Sequence, residues 1–271
     1  MTRLTEGDLR GLDRRMALYD AGLLKITGLS LRQIAAAAAA VPEETVSERS
    51  SSSKVAIVPI TAGEGLIASF TGTVRSVVEW LRFPAVVTVG TDVAGIAEGT
   101  ASGAEILFMA DDHKFIALNL STGAVADNGE ATGRGFVAAL EGLARGLQGR
   151  KVLVLGAGAV GAAAIASLRK LGAAVALYEI DPDRIGRFER VPGIRLETDL
   201  KTALVRYQYI VEATPLGNFI EAGDLAAGAR LACPGIPLGL TPAARTLLKD
   251  RFIHDPLQIG VATMLMMVLQ K

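Results

Sequence analysis

Residues 152–161 read Val152-Leu153-Val154-Leu155-Gly156-Ala157-Gly158-Ala159-Val160-Gly161. The apolar run reads as a short buried strand, and the alanine-rich stretch that follows favours helix. A G-x-G-x-x-G pattern is weak evidence alone. Set between a strand and a helix, it becomes a dinucleotide-binding fingerprint. Gly156 allows the tight turn, Gly158 lets the backbone approach a pyrophosphate, and Gly161 permits close packing of helix on strand. The helix start at Ala159 and Val160 offers unpaired N–H groups and partial positive charge to phosphates. Glu179 stands at the end of the next predicted strand, 174–178, where its carboxylate can accept hydrogen bonds from a ribose diol. A carboxylate there repels a 2′-phosphate, and Ile180 and Asp181 follow it rather than an arginine. The predicted cofactor is therefore NAD.

Two later segments extend this site. Ala213-Thr214-Pro215 follows a predicted strand at 209–212, and Cys233-Pro234-Gly235 follows another at 230–232. Ligands of open α/β sheets bind beyond the carboxyl ends of the strands, so these loops are predicted to flank the ribose and nicotinamide. As turns alone, their prolines and glycines carry no message.

Outward from this unit, strands also alternate with helices upstream. Strands are predicted at 55–60, 85–89, 105–109 and 115–120, with helices over 66–81, 93–102 and 133–147. Such alternation predicts a parallel sheet covered on both faces. Before residue 54 the pattern is helical: Thr5 and Asp8 suggest a capping box, Leu9, Leu12, Met16 and Tyr19 recur at helical spacing, and 30–40 is an alanine-rich helix. The polar stretch 42–54 reads as a surface linker. The predicted fold class is thus α/β: a small N-terminal helical unit (1–53), a Rossmann-like α/β substrate domain (54–148), and a C-terminal Rossmann NAD-binding domain (149–271). A terminal helix over 257–269 is expected to cross back to an interdomain cleft.

Composition narrows the function. Lys+Arg and Asp+Glu both number 28, which leaves no electrostatic footprint for nucleic acid or an anionic membrane. The apolar stretches 34–41 and 261–269 fall short of the ~18 residues of a membrane span, and the polar start lacks an apolar signal region. The single cysteine, Cys233, excludes an intrachain disulfide and fits a reducing cytoplasm. Neither His113 nor His254 belongs to a cluster with metal-ligand spacing, so no metal is expected. A covalent role for Cys233 lacks an activating base nearby, and packing is the simpler reading. A homodimer is the base-rate expectation for such an enzyme.

Several separated segments together resemble the pyrrolysine synthase family over nearly the full chain. They are Leu4-Thr5 with Asp8-Leu9, Val58-Pro59-Ile60-Thr61 with Gly63 and Gly65, Ser69-Phe70, Met109-Ala110-Asp111-Asp112, Asn119-Leu120, Asn128, the glycine turn, Glu212-Ala213-Thr214-Pro215, Pro234-Gly235-Ile236-Pro237, and Asp255-Pro256-Leu257 with Ile259-Gly260. The resemblance implies a small-molecule substrate, L-lysine acylated at its ε-nitrogen by 3-methyl-D-ornithine. Its terminal amine is oxidised with NAD to an imine or aldehyde, which cyclises to the pyrroline ring and releases ammonia. It also implies Leu4, Ser69, Phe70, Asp111 and Asn128 as substrate-site positions, with the first helix closing over substrate. Glu64, Asp127 and His254 depart from the family pattern.

On the residues alone, Asp111 at a strand end can pair with a substrate ammonium and accept its proton, yet Asp111-Asp112 also reads as a solvated acidic turn. Asp127-Asn128-Gly129 is an ordinary turn sequence, Phe70 is equally a core residue, and Leu4 equally an apolar staple. Two alternatives stay open: another NAD-dependent amino-acid or imine dehydrogenase, and a non-catalytic NAD-responsive regulator.

Overall fold

The computed structural model describes residues 4–9, 11–63, 67 and 69–270. Glu64 and Gly65, and the side chain of Asp8 in the predicted capping box, lie outside the described residues. Two compact units divide the chain: Met1–Gly22 with Ser30–Gly135 and Pro256–Lys271, and Leu23–Leu29 with Phe136–Asp255. These units differ from the three segments expected from sequence, since the C-terminal residues join the first unit.

Helices α1 (Glu6–Leu9), α2 (Met16–Thr27), α3 (Leu31–Ala39) and α4 (Glu43–Ser50) come first. A capping box between Ser30 and Gln33 starts α3, as its sequence suits. Helix α4 replaces the predicted linker. Pro42 stands at its N-cap, Glu43 and Glu44 suit the dipole of its first turn, and only Val46 and Ser50 are buried. So polar a helix shows almost no apolar periodicity.

The first sheet contains β1 (Val55–Val58), β2 (Ala85–Val87), β3 (Ile106–Ala110), β4 (Phe115–Asn119) and β5 (Val125–Asp127), in the order β2-β1-β3-β4-β5. Helices α5 (Phe70–Trp80) and α6 (Asp92–Ala101) connect its parallel strands, and α7 (Asn128–Ala144) follows β5. The sheet is mixed, not parallel throughout: β4 pairs antiparallel with both β3 and β5. The cause is local. Only residues 111–114 separate β3 from β4, far fewer than a parallel crossover needs. Ala56, Val58 and Leu107 pack one cluster with Ile60, Ile96 and Met109.

The second sheet is parallel throughout. It comprises β6 (Lys151–Leu155), β7 (Ala174–Tyr178), β8 (Ile194–Leu196), β9 (Tyr209–Glu212), β10 (Arg230–Ala232) and β11 (Phe252–Ile253), ordered β11-β10-β9-β6-β7-β8. Its helices are α8 (Ala159–Lys170), α9 (Pro182–Gly186), α10 (Leu200–Arg206) and α11 (Pro242–Leu248). Read from β8, this is the doubly wound order, with its topological switch between β6 and β9. Leu153, Leu155, Ile210, Leu231 and Cys233 share its core.

The last helix, α12 (Gln258–Met267), belongs to the first unit, where it packs on α3 and α5. It is buried almost all round, which explains its predominantly apolar sequence.

Candidate functional site

In the second unit the glycine turn lies at the switch between β6 and β9, where doubly wound sheets place their ligands. The three glycines have different surroundings. Gly156 has φ +90, and a Cβ there would stand 2.7 Å from the carbonyl oxygen of Ala213. A Cβ on Gly161 would collide with the carbonyl of Gly156. Both are therefore demanded by the fold itself. Gly158 is open: it caps α8 in an extended conformation, and a Cβ would meet only Nη1 of Arg184, at 3.9 Å. Free space over a backbone at a helix N-terminus is what an approaching phosphate requires.

Glu179 is drawn into this turn. Its side chain is 5% exposed. Oε2 accepts from the Ala157 N–H at 2.7 Å, and Oε1 from Ile180 and Asp181 at 2.7 and 3.0 Å. Burial works to raise its pKa, but these N–H groups, helped by Arg184, outweigh it and hold the carboxyl below its ordinary range. One lone pair of Oε2 stays available, so the predicted ribose contact is compatible with a structural duty that the sequence did not reveal.

Beyond β9, Ala213 and Thr214 are half-buried and Pro215 exposed. Behind them lies Glu212, fully buried and given no individual role by the sequence. Its Oε1 accepts from the N–H and hydroxyl of Thr214 at 2.8 and 2.7 Å, and its Oε2 from Gly239 N–H at 3.3 Å. Gly235 and Gly239 leave no room for a Cβ against this carboxyl, so Glu212 knits together the loops after β9 and β10. Burial pushes its pKa up, against the bonds from Thr214 and Gly239. Cys233 and Pro234 are buried. The Cys233 N–H donates to Ile253, its carbonyl accepts from His254 Nδ1 at 2.7 Å, and burial pushes its thiol well above the ordinary range. The thiol sits in the core. Ile180 is 72% exposed.

In the first unit the family-implied positions gather at one end of the mixed sheet. Asp111 lies exposed in the β3–β4 turn, where Oδ1 accepts from the N–H groups of His113 and Lys114 at 2.8 and 2.7 Å. The bond from Lys114, then that from His113, lowers its pKa. Lys114 Nζ reaches Asp127 at 2.8 Å, tying this turn to the start of α7, where Asn128 is half-buried beside Thr132 and Gly260. Phe70 packs edge-on against Phe115, with centroids 5.1 Å apart. Ser69 Oγ donates to Glu6 on α1 at 2.8 Å, which brings the half-buried Leu4 segment beside α5. Asp112 lies directly over Gly63, whose φ is +80. Glu6, Lys114 and Phe115 escaped sequence reading because each acts through a partner distant in sequence. Among the described residues, no three His, Cys, Asp or Glu side chains form a metal-holding group, and no helix is long and apolar enough to cross a membrane.

Residues 122–233 match the family model for the alanine dehydrogenase/PNT C-terminal domain. Shikimate dehydrogenase from Aquifex aeolicus superposes with a TM-score of 0.54 at 14% identity, over 76% of this chain and 88% of that one. Quinate dehydrogenase from Corynebacterium glutamicum, solved with NAD, gives 0.54 at 15% identity, over 80% and 93%. At such identities the likeness is one of fold. Together with the strand order and glycine turn, these matches define the dehydrogenase fold, with a glycine turn of the dinucleotide-binding type.

Residues 8–126 match the model described as pyrrolysine biosynthesis protein PylD, N-terminal domain. Pyrrolysine synthase of Methanosarcina barkeri (strain Fusaro / DSM 804) is 33% identical over 271 residues, 99% of this chain and 98% of that protein. Its counterpart from Methanosarcina acetivorans is 29% identical over 269 residues, 99% and 100% respectively. The chain belongs to the pyrrolysine synthase family.

Proposed function

We propose that the chain carries out the NAD-dependent oxidation of the terminal amine of L-lysine-Nε-3R-methyl-D-ornithine. The imine formed is captured by the ornithine α-amine, and loss of ammonia closes the pyrroline ring. The observation that carries the cofactor half is the glycine turn at the strand-order switch, with Gly158 open where Gly156 and Gly161 are not. The substrate half rests on the relatives named pyrrolysine synthase.

NAD supplies a hydride acceptor for the amine-bearing carbon. The turn from Gly156 to Gly161 holds the pyrophosphate at the α8 N-terminus, Glu179 receives the adenosine ribose, and the Ala213–Pro215 and Gly235 loops flank the nicotinamide. Glu212 keeps those two loops in register. Asp111 pairs with a substrate ammonium through Oδ2, since Oδ1 is engaged in its own turn. With its pKa lowered by Lys114 and His113, it is a firm anchor for a cation and a weak proton acceptor at neutral pH. Its role is to orient the amine. Phe70, backed by the buried Phe115, supplies apolar surface for the rest of the substrate together with Leu4, and Ser69 and Asn128 supply hydrogen-bonding groups.

The test is absorbance at the NADH band with lysyl-Nε-methylornithine, beside simpler amino acids. Turnover confined to the dipeptide-like substrate is expected. Tight NAD binding without turnover sinks the enzymatic reading, and turnover only with simpler amino acids favours a different amino-acid dehydrogenase. Cytoplasmic location and a homodimer complete the proposal, the latter checked by sedimentation.

A further inference from the structure

Arg184 has no part in the reading above, yet its side chain stands at the cofactor turn. It projects from α9, whose start is capped by Asp181. Its Nε lies 3.1 Å from Asp181 Oδ2, and its Nη1 lies 3.8 Å from Glu179 Oε2. The same Nη1 is the atom nearest to the open face of Gly158. One edge of the guanidinium is thus anchored, and the rest overhangs the ground between the ribose carboxylate and the pyrophosphate glycine. The arginine side chain is 46% exposed, against 5% for Glu179.

This placement changes what Glu179 does to a cofactor. A carboxylate at this strand end selects NAD because it repels a 2′-phosphate. Here three backbone N–H groups already donate to that carboxylate, and a cation stands beside it. The negative field meeting a 2′-substituent is correspondingly weaker. A guanidinium anchored through Nε keeps two NH₂ groups, a geometry suited to phosphate oxygens.

We propose that Arg184 is a specificity-determining residue of the cofactor site: it gives the adenosine-ribose subsite affinity for a 2′-phosphorylated dinucleotide, so that Glu179 favours NAD without excluding NADP. This rests on the dinucleotide reading of the glycine turn, and the experiment separates the two. Calorimetric titration of the full chain with ADP-ribose and with 2′-phospho-ADP-ribose needs no turnover. Both ligands are expected to bind the wild-type chain. Arg184→Ala should weaken the 2′-phosphorylated ligand about tenfold, the effect of one lost charge-assisted hydrogen bond, and ADP-ribose less than about threefold. Arg184→Lys, which keeps the charge, should recover part of the loss. Equal weakening of both ligands, or no change in either, overturns the proposal. So does a wild-type chain that binds ADP-ribose but not its 2′-phosphorylated form. A wild-type chain that binds neither overturns the dinucleotide reading itself, and this proposal with it.

Discussion

Replacing Gly158 by alanine separates what the fold needs from what a ligand needs. Gly158 has φ −66 and ψ −171, a conformation open to any residue, and its Cβ position is clear except for Arg184 Nη1 at 3.9 Å. On stability, the variant gains about 0.4–1 kcal/mol from a less flexible unfolded chain. It loses up to about 1 kcal/mol because alanine is a poorer N-cap than glycine. The two nearly cancel, so the apo variant should unfold close to wild type. Gly161→Ala behaves differently. Its Cβ collides with the Gly156 carbonyl, and overpacking of that kind costs about 1–3 kcal/mol. The roughly 1 kcal/mol gain in helix propensity offsets that only in part. Binding should invert the comparison for Gly158, because a methyl group there occupies the approach of the pyrophosphate. Losing one charge-assisted N–H bond costs about 1.5–3 kcal/mol, or roughly ten- to hundredfold in NAD affinity. Urea denaturation of the apo variants and titration with NAD measure the two quantities independently. A Gly158→Ala chain that binds NAD as tightly as wild type would refute the assignment of that open face to the cofactor.

Three further outcomes follow from the same geometry. Asp111→Asn keeps an oxygen for the His113 and Lys114 N–H groups but removes the charge, so it should leave the melting temperature and NAD affinity nearly unchanged while kcat/KM falls roughly ten- to hundredfold, the effect of one lost charge-assisted hydrogen bond; activity retained at the wild-type level removes Asp111 from substrate binding. Glu179 has a folded pKa below its ordinary 4.5, so its stabilisation is present above 4.5 and lost as pH falls through the folded value. Acid unfolding of wild type should therefore be steeper than that of Glu179→Gln. Glu212 has a folded pKa above 4.5, so its contribution is full below 4.5 and fades as pH rises through the folded value. Glu212→Gln sets an amide NH₂ against the Thr214 or Gly239 donors; it should cost about 1–3 kcal/mol by denaturant titration below pH 4.5 and flatten that decline at higher pH.

The second unit was the more legible in sequence. Strands at 151–155, 174–178, 209–212 and 230–232 follow from apolar runs bounded by turn residues, because strands buried on both faces need little else. The short strands β8 and β11 carry no such run and went unread. In the first unit, the antiparallel return of β4 was hidden because strand direction depends on connection length, not on composition. Helix α4 was hidden because it buries so little. At the site, residue type and spacing singled out the three glycines and Glu179 as candidates for phosphate and ribose. Glu212 and Arg184 were missed for a different reason: their significance lies in what they touch. A buried carboxyl bridging two loops, or a guanidinium beside Glu179, leaves no periodicity or motif. Asp111 shows the reverse case, in which a motif position proved to have one of its two oxygens already committed.

Deuterium placed on the amine-bearing terminal carbon of the ornithine part tests the central claim most directly. In single-turnover reactions with NAD, the account predicts that one deuterium appears in the reduced nicotinamide ring and that ammonia and the pyrroline product form in equal amounts. Product formation with no deuterium in the cofactor, or reduced cofactor without release of ammonia, would contradict it.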